Sequence, residues 1–170
     1  MWEKAAHHPV DGFVVPNGSE DDAAIARDEG CDTEIERQLH PLSLGVYRVV
    51  IQHAKSRPNV SQTATMLGCS SRHLQRMFEA ALLPPPQRLV TIARWIPIAR
   101  QLASEIDAPR TLAAQLRFSS PQAFYRAARR ELGFGISELR EAGAAERLLR
   151  DVVTAYQPLF TNEEDLAKLG

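Results

Sequence analysis

The stretch "MLGCSSRHLQRMF" (Met66–Phe78) decides how the rest of the chain is read. Gly68 can take a positive φ without steric penalty, and Ser70 follows where a serine side chain can cap a helix. Beyond Ser70, Leu74, Met77 and Phe78 fall on one helical face, while Ser71, Arg72, Gln75 and Arg76 point away from it. A short helix, "VSQTATML", precedes the turn, with Asn59 as its N-cap. The pattern is a short helix, a tight turn and a basic amphipathic helix, which is a helix-turn-helix (HTH).

The pattern recurs further along. Ala64 and Leu67 match Ala113 and Leu116, each 49 residues on, and Ser70 matches Ser119. Past the turn the second copy has one extra residue, so Leu74 matches Phe124 and Arg76 matches Arg126, each 50 residues on. In "RFSSP" Ser120 stands as N-cap and Pro121 as the first helical residue. The small alanine inside each first helix lets two helices cross closely.

Other helices fill the space around the two copies. "SLGVYRVVIQHAK" carries Leu44, Tyr47, Val50 and Ile51 at helical spacing. Between the copies, a segment from about Gln87 to Glu105 turns Leu89, Ile92, Ile96, Ala99, Leu102 and Ala103 inward. "QAFYRAARREL" stops at Gly133, and one last helix is expected from about Ser137 to Tyr156. No run alternates as a strand does, so the expected fold is all-α: two HTH subdomains joined by a linking helix. The expected organisation is an acidic, loosely structured and partly disordered arm over 1–40, with "GFVV" as one short extended piece. The double HTH follows over 41–145, and a helix end and tail over 146–170.

Charge is segregated along the 170 residues. Residues 1–40 hold three basic and ten acidic side chains, 41–145 hold 14 and six, and 146–170 hold three and five. A basic middle beside an acidic arm points to a polyanion partner. Hydrophobic residues make up 44% of the chain, enough for a core, yet no apolar run is long enough for a bilayer. The start, "MWEKAAHHPVDG", has no signal-peptide core, so a cytoplasmic place is expected. Cys31 and Cys69 form no CxxC pair, no Cys or His sits at zinc-finger spacing, and no nucleophile–base set is legible. Neither metal, cofactor nor catalysis is expected.

"RPNVSQTATMLGCSSRHLQRMFEA" resembles the first HTH of the AraC/XylS transcription regulators, and "TLAAQLRFSSPQAFYRAARRELGFGISELR" resembles the second HTH with its closing signature. "IARWIPIARQL" is similar to the helix joining them, with Arg94 and Ala99 at matching positions. The resemblance covers roughly Leu42 to Glu141 and implies a sequence-specific regulator that offers two recognition helices to successive major grooves of duplex DNA. It also implies contact with RNA polymerase. The acidic arm is too short and too polar for a β-barrel sensor, so activity would be set by protein level or by a protein partner on the arm, or else the chain is a fragment of a longer regulator.

Arginine pairs bidentately with guanine and glutamine with adenine, so base edges fall to Arg72, Gln75 and Arg76 in the first HTH and to Gln122 and Arg126 in the second. Ser71, Tyr125, Arg129 and Arg130 are assigned to phosphates. The competing reading makes these ordinary solvated residues, with Arg76 bracing a carboxylate. Several positions depart from the family pattern. Arg117 stands at the turn where Gly68 stands in the first copy, and a positive φ there would cost about 1 kcal/mol unless the turn is rebuilt. Ala128 replaces a core aromatic, Gly135 a small hydroxyl residue, Ile136 a proline, and Leu83 the glycine after the first recognition helix. Pro97, inside the linking helix, is expected to kink it. These departures leave a second class of function open: an HTH-derived antagonist or adaptor that binds another regulator, with weak or no DNA binding.

Overall fold

A computed structural model describes residues 37–104 and 108–158. Residues 1–36 of the acidic arm, with the "GFVV" piece, and the tail beyond residue 158 therefore lie outside the described residues, as does Asp107. Among the described residues the chain is all-α. The order is α1 (Pro41–Gln52), a 3₁₀ turn (Ala54–Ser56), α2 (Val60–Met66), α3 (Ser71–Ala80), α4 (Pro86–Ser104), α5 (Ala108–Gln115), α6 (Pro121–Leu132), α7 (Ile136–Leu139) and α8 (Ala144–Tyr156).

α4 is the axis of the molecule. It is buried nearly all round, through Leu89, Val90, Ile92, Ala93, Trp95, Ile96, Pro97, Ile98, Ala99 and Leu102. Ala103, expected inward, is exposed. A helix apolar on every side belongs in a core rather than on a surface, and α4 is clad by α1 and α8 as well as by both HTH units. The helix runs through Pro97 and on to Ser104, with the proline buried inside it. The buried proline ring lies beside a small recess of about 20 Å³ between Ala54, Ile98 and Leu116.

α1 and α8 are tied together at their ends. His40 caps α1 by accepting the Leu42 N–H at Nδ1 (3.2 Å). Its own N–H donates to the Tyr156 carbonyl (2.9 Å). Burial holds the His40 imidazole below its ordinary pKa, which favours the neutral ring that such a cap requires. The Tyr156 hydroxyl donates to the Pro85 carbonyl (2.9 Å), and its ring meets Phe78 edge-on. On α1 the buried side chains are Leu42, Ser43, Val46, Tyr47, Val49 and Val50, while Leu44 and Ile51 are half-buried.

Two further local expectations are corrected. The single last helix from Ser137 is two helices, α7 and α8, separated by Gly143 at φ +83°. After α3 the left-handed residue is Leu82 (φ +55°), one position before Leu83. Leu83 is buried, and its N–H closes the turn on the Phe78 carbonyl (2.9 Å), while Leu82 projects with 73% of its surface exposed.

Candidate nucleic-acid interface

Both HTH turns have the same backbone. In the first, the Gly68 N–H donates to the Thr65 carbonyl (3.0 Å) and the Cys69 N–H to the Ala64 carbonyl (2.9 Å). In the second, the Arg117 N–H donates to Ala114 (3.0 Å) and the Phe118 N–H to Ala113 (2.8 Å). This is the two-bond termination with a left-handed residue at its centre, Gly68 at φ +74° and Arg117 at φ +56°. The turn is therefore kept, not rebuilt, and Arg117 carries the strain. Ala64 and Ala113 are both buried at the helix crossing, as are Leu67 and Leu116.

The second copy takes up its extra residue between turn and helix. Ser70 caps α3 by accepting the His73 N–H (3.2 Å), and Ser120 caps α6 by accepting the Ala123 N–H (3.1 Å). Ser70 therefore corresponds to Ser120, not to Ser119. α2 is opened by a reciprocal pair: the Gln62 N–H donates to Asn59 Oδ1, and the Asn59 N–H to Gln62 Oε1, both at 2.9 Å.

With the caps aligned, Arg72 corresponds to Gln122, Gln75 to Tyr125, Arg76 to Arg126 and Glu79 to Arg129. Ser71, Arg72, Gln75 and Arg76 are all exposed on α3, opposite the buried Leu74 and Phe78. Gln122, Tyr125, Arg126, Arg129 and Arg130 are exposed on α6, opposite the buried Phe124, Ala127 and Ala128. The side chains of Arg72, Arg76, Gln122, Arg126 and Arg129 form no hydrogen bond or ion pair with a described residue. Gln75 donates to Glu79 one turn along the same helix (3.1 Å). Arg130 pairs with Glu131 (3.2 Å), yet its side chain stays largely exposed. Arg126 and Arg129 line a cleft of about 460 Å³ together with Tyr125, Ser137 and Arg140. α7 closes this cleft although Gly135 has no side chain to cap it; the Gly135 N–H instead donates to the Glu138 carboxylate (2.6 Å).

The carboxylate that arginines brace is Glu131, and Arg76 is not among its partners. Its Oε2 accepts from Arg94 Nη2 (2.7 Å) and Trp95 Nε1 (2.8 Å), and its Oε1 meets Arg57 Nη2 at 3.4 Å. Burial pushes the Glu131 carboxyl up, but the Trp95 hydrogen bond and the charges of Arg94 and Arg57 outweigh it, and the group sits below the ordinary carboxylate value. Trp95 also stacks on Phe124 (centroids 5.6 Å, 22°), and Phe124 touches Phe118 (5.2 Å). Aromatic bulk between α4 and α6 thus comes from Trp95 and Phe124 together, while Ala128, one turn further on, is small and buried. Arg57, Trp95 and Glu131 escaped the sequence reading. A tryptophan inside an apolar helix and a lone acid in "YRAARREL" were the available signals.

Among the described residues no His, Cys, Asp or Glu cluster could hold a metal ion, and no helix is long and apolar enough to cross a membrane. Burial raises the Cys69 thiol above its ordinary pKa, away from thiolate reactivity. Residues 63–142 match the family described as "Helix-turn-helix domain", a span that runs from the middle of α2 to just past α7. Neither a curated protein nor a solved structure matches the chain.

Proposed function

Residues 63–142 are a helix-turn-helix domain of the AraC/XylS type, and on that premise we propose that this DNA-binding transcription regulator reads successive major grooves through α3 and α6. The observation that carries the reading is the identity of the two turns. Each ends its first helix on the same pair of hydrogen bonds and opens its second on a serine cap. α4, with 19 residues, is about 28 Å long. Successive major grooves on one face of the duplex lie about 34 Å apart, a separation of the same order.

Arg72, Arg76 and Arg126 take guanine edges, and Gln75 and Gln122 take adenine edges. Ser71, Tyr125, Arg129 and Arg130 hold phosphates, which fix register without carrying sequence. Arg130 shares its charge between Glu131 and the backbone, so it contributes least of the three α6 arginines. Activation would add contact with RNA polymerase, and the acidic segment before residue 37 would take a protein partner. The place of action is that of the chromosome, the cytoplasm.

Titration of the full chain against random-sequence duplex at two salt concentrations tests this. Steep weakening with salt is expected, because phosphates neutralised by arginine release counterions. Further weakening is expected in Arg72→Ala and Arg76→Ala. Absence of binding, also after deletion of residues 1–38, would instead support the HTH-derived adaptor.

A further inference from the structure

Arg57 lies two residues before the Asn59 cap of the first HTH, yet its side chain ends in the second. Its guanidinium carbon stands 4.1 Å from the centroid of Phe118, the residue after the second turn, and 5.8 Å from that of Trp95 on α4. Its Nη2 reaches both carboxylate oxygens of Glu131 on α6, at 3.4 and 3.5 Å. The group is mostly buried, with 19% of its side chain exposed. Burial lowers the guanidinium's pKa, against the pull of Glu131, but leaves it in a range where it stays charged. A cation in such a site is stabilised by the ring faces and the carboxylate together.

The backbone at Arg57 is strained. Its φ is +50° and its ψ +59°, a left-handed conformation unusual for a side chain other than glycine. The buried Pro58 follows directly and restricts it further. Such an outlier persists only where its surroundings over-determine it, and here they are a cage of Glu131 and Phe118 of the other unit together with Trp95 of α4. The path from cage to cap is short: Arg57, Pro58, then the reciprocal Asn59–Gln62 pair that starts α2. Any rotation of one HTH against the other must drag Arg57 out of the cage.

We infer that Arg57 is a positioning residue, a strut that fixes α3 relative to α6 and so sets which half-site spacing the protein accepts. The inference rests on the two-groove reading. Each inserted base pair shifts a half-site by about 3.4 Å and turns it by about 34°. A rigid pair of helices therefore loses one half-site outright, while a loosened pair follows it.

The test begins with duplexes selected from a random pool by the full chain. Binding is then measured on versions with one base pair added or removed between the half-sites. Wild type is expected to lose tenfold or more at either altered spacing. Arg57→Gly removes the strut and relieves the left-handed strain, so it should stay folded; less than threefold change across the three spacings is expected of it. Glu131→Gln, which keeps the shape of the cage and removes its charge, should fall between. An Arg57→Gly profile as steep as wild type would overturn the strut alone. Selection of a one-part motif, or of none, would overturn the two-groove reading and the strut with it.

Discussion

Arg117→Gly is expected to stabilise the protein. The two HTH turns share their hydrogen bonds to within 0.1 Å, yet one centre is Gly68 at φ +74° and the other Arg117 at φ +56°. A Cβ in the left-handed region costs roughly 1–2 kcal/mol. Replacing it by glycine returns about 0.5–1 kcal/mol through the freer unfolded chain. The Arg117 side chain is exposed and forms no hydrogen bond or ion pair with a described residue, so nothing else offsets the gain. The net stabilisation is about 0.5–1 kcal/mol, a rise in Tm of roughly 1–4 °C for a chain of this size. Gly68→Ala is the mirror experiment. A Cβ there would meet nothing within 4 Å, so the cost is conformational alone, about 1 kcal/mol. Thermal unfolding followed by circular dichroism measures both. A lower Tm for Arg117→Gly, or an unchanged one for Gly68→Ala, would refute the equivalence of the two turns.

Glu131→Ala strands Arg94 and Arg57 beside the indole N–H and should cost about 3 kcal/mol in denaturant unfolding. Because the folded Glu131 carboxyl lies below its ordinary value, its stabilisation is complete above the unfolded carboxylate pKa. It is lost as pH falls through the lowered folded one, an acid-side slope that Glu131→Gln should flatten. Burial pushes the Tyr156 hydroxyl up to about 12, so its contribution is full below pH 10 and disappears between there and about 12. Tyr156→Phe should cost about 1 kcal/mol at neutral pH and remove that alkaline loss. In competition against altered duplexes, Arg72→Ala should relax discrimination at one base by about 1–3 kcal/mol. Arg129→Ala should weaken all duplexes alike and lower the salt slope by about one.

What the sequence made legible was local. Gly68, Ser70, Asn59, Ser120, Pro121 and Gly133 are punctuation whose meaning depends on backbone chemistry alone, and each stands where the helix boundaries require it. The exposed faces of α3 and α6 followed from helical spacing for the same reason. What escaped depends on partners distant in sequence. α4 looked amphipathic because only one side was assigned a neighbour, whereas α1, α8 and both HTH units enclose it. Helical spacing continues through Gly143, and only its positive φ of +83°, fixed by the fold, marks the break between α7 and α8. Arg57 and Glu131 lie 74 residues apart and meet only after folding, so no spacing rule could pair them. Arg117 shows the limit of a residue-type rule: the turn imposed its φ on a side chain that disfavours it, because the hydrogen bonds on either side hold it there.

Hydroxyl-radical footprinting of the full chain on a selected duplex tests the central claim most directly. Two protected patches about one helical turn apart on the same face are expected, the α6 patch disappearing in Arg126→Ala while the α3 patch stays. A single patch that Arg126→Ala leaves unchanged would contradict the reading of two recognition helices.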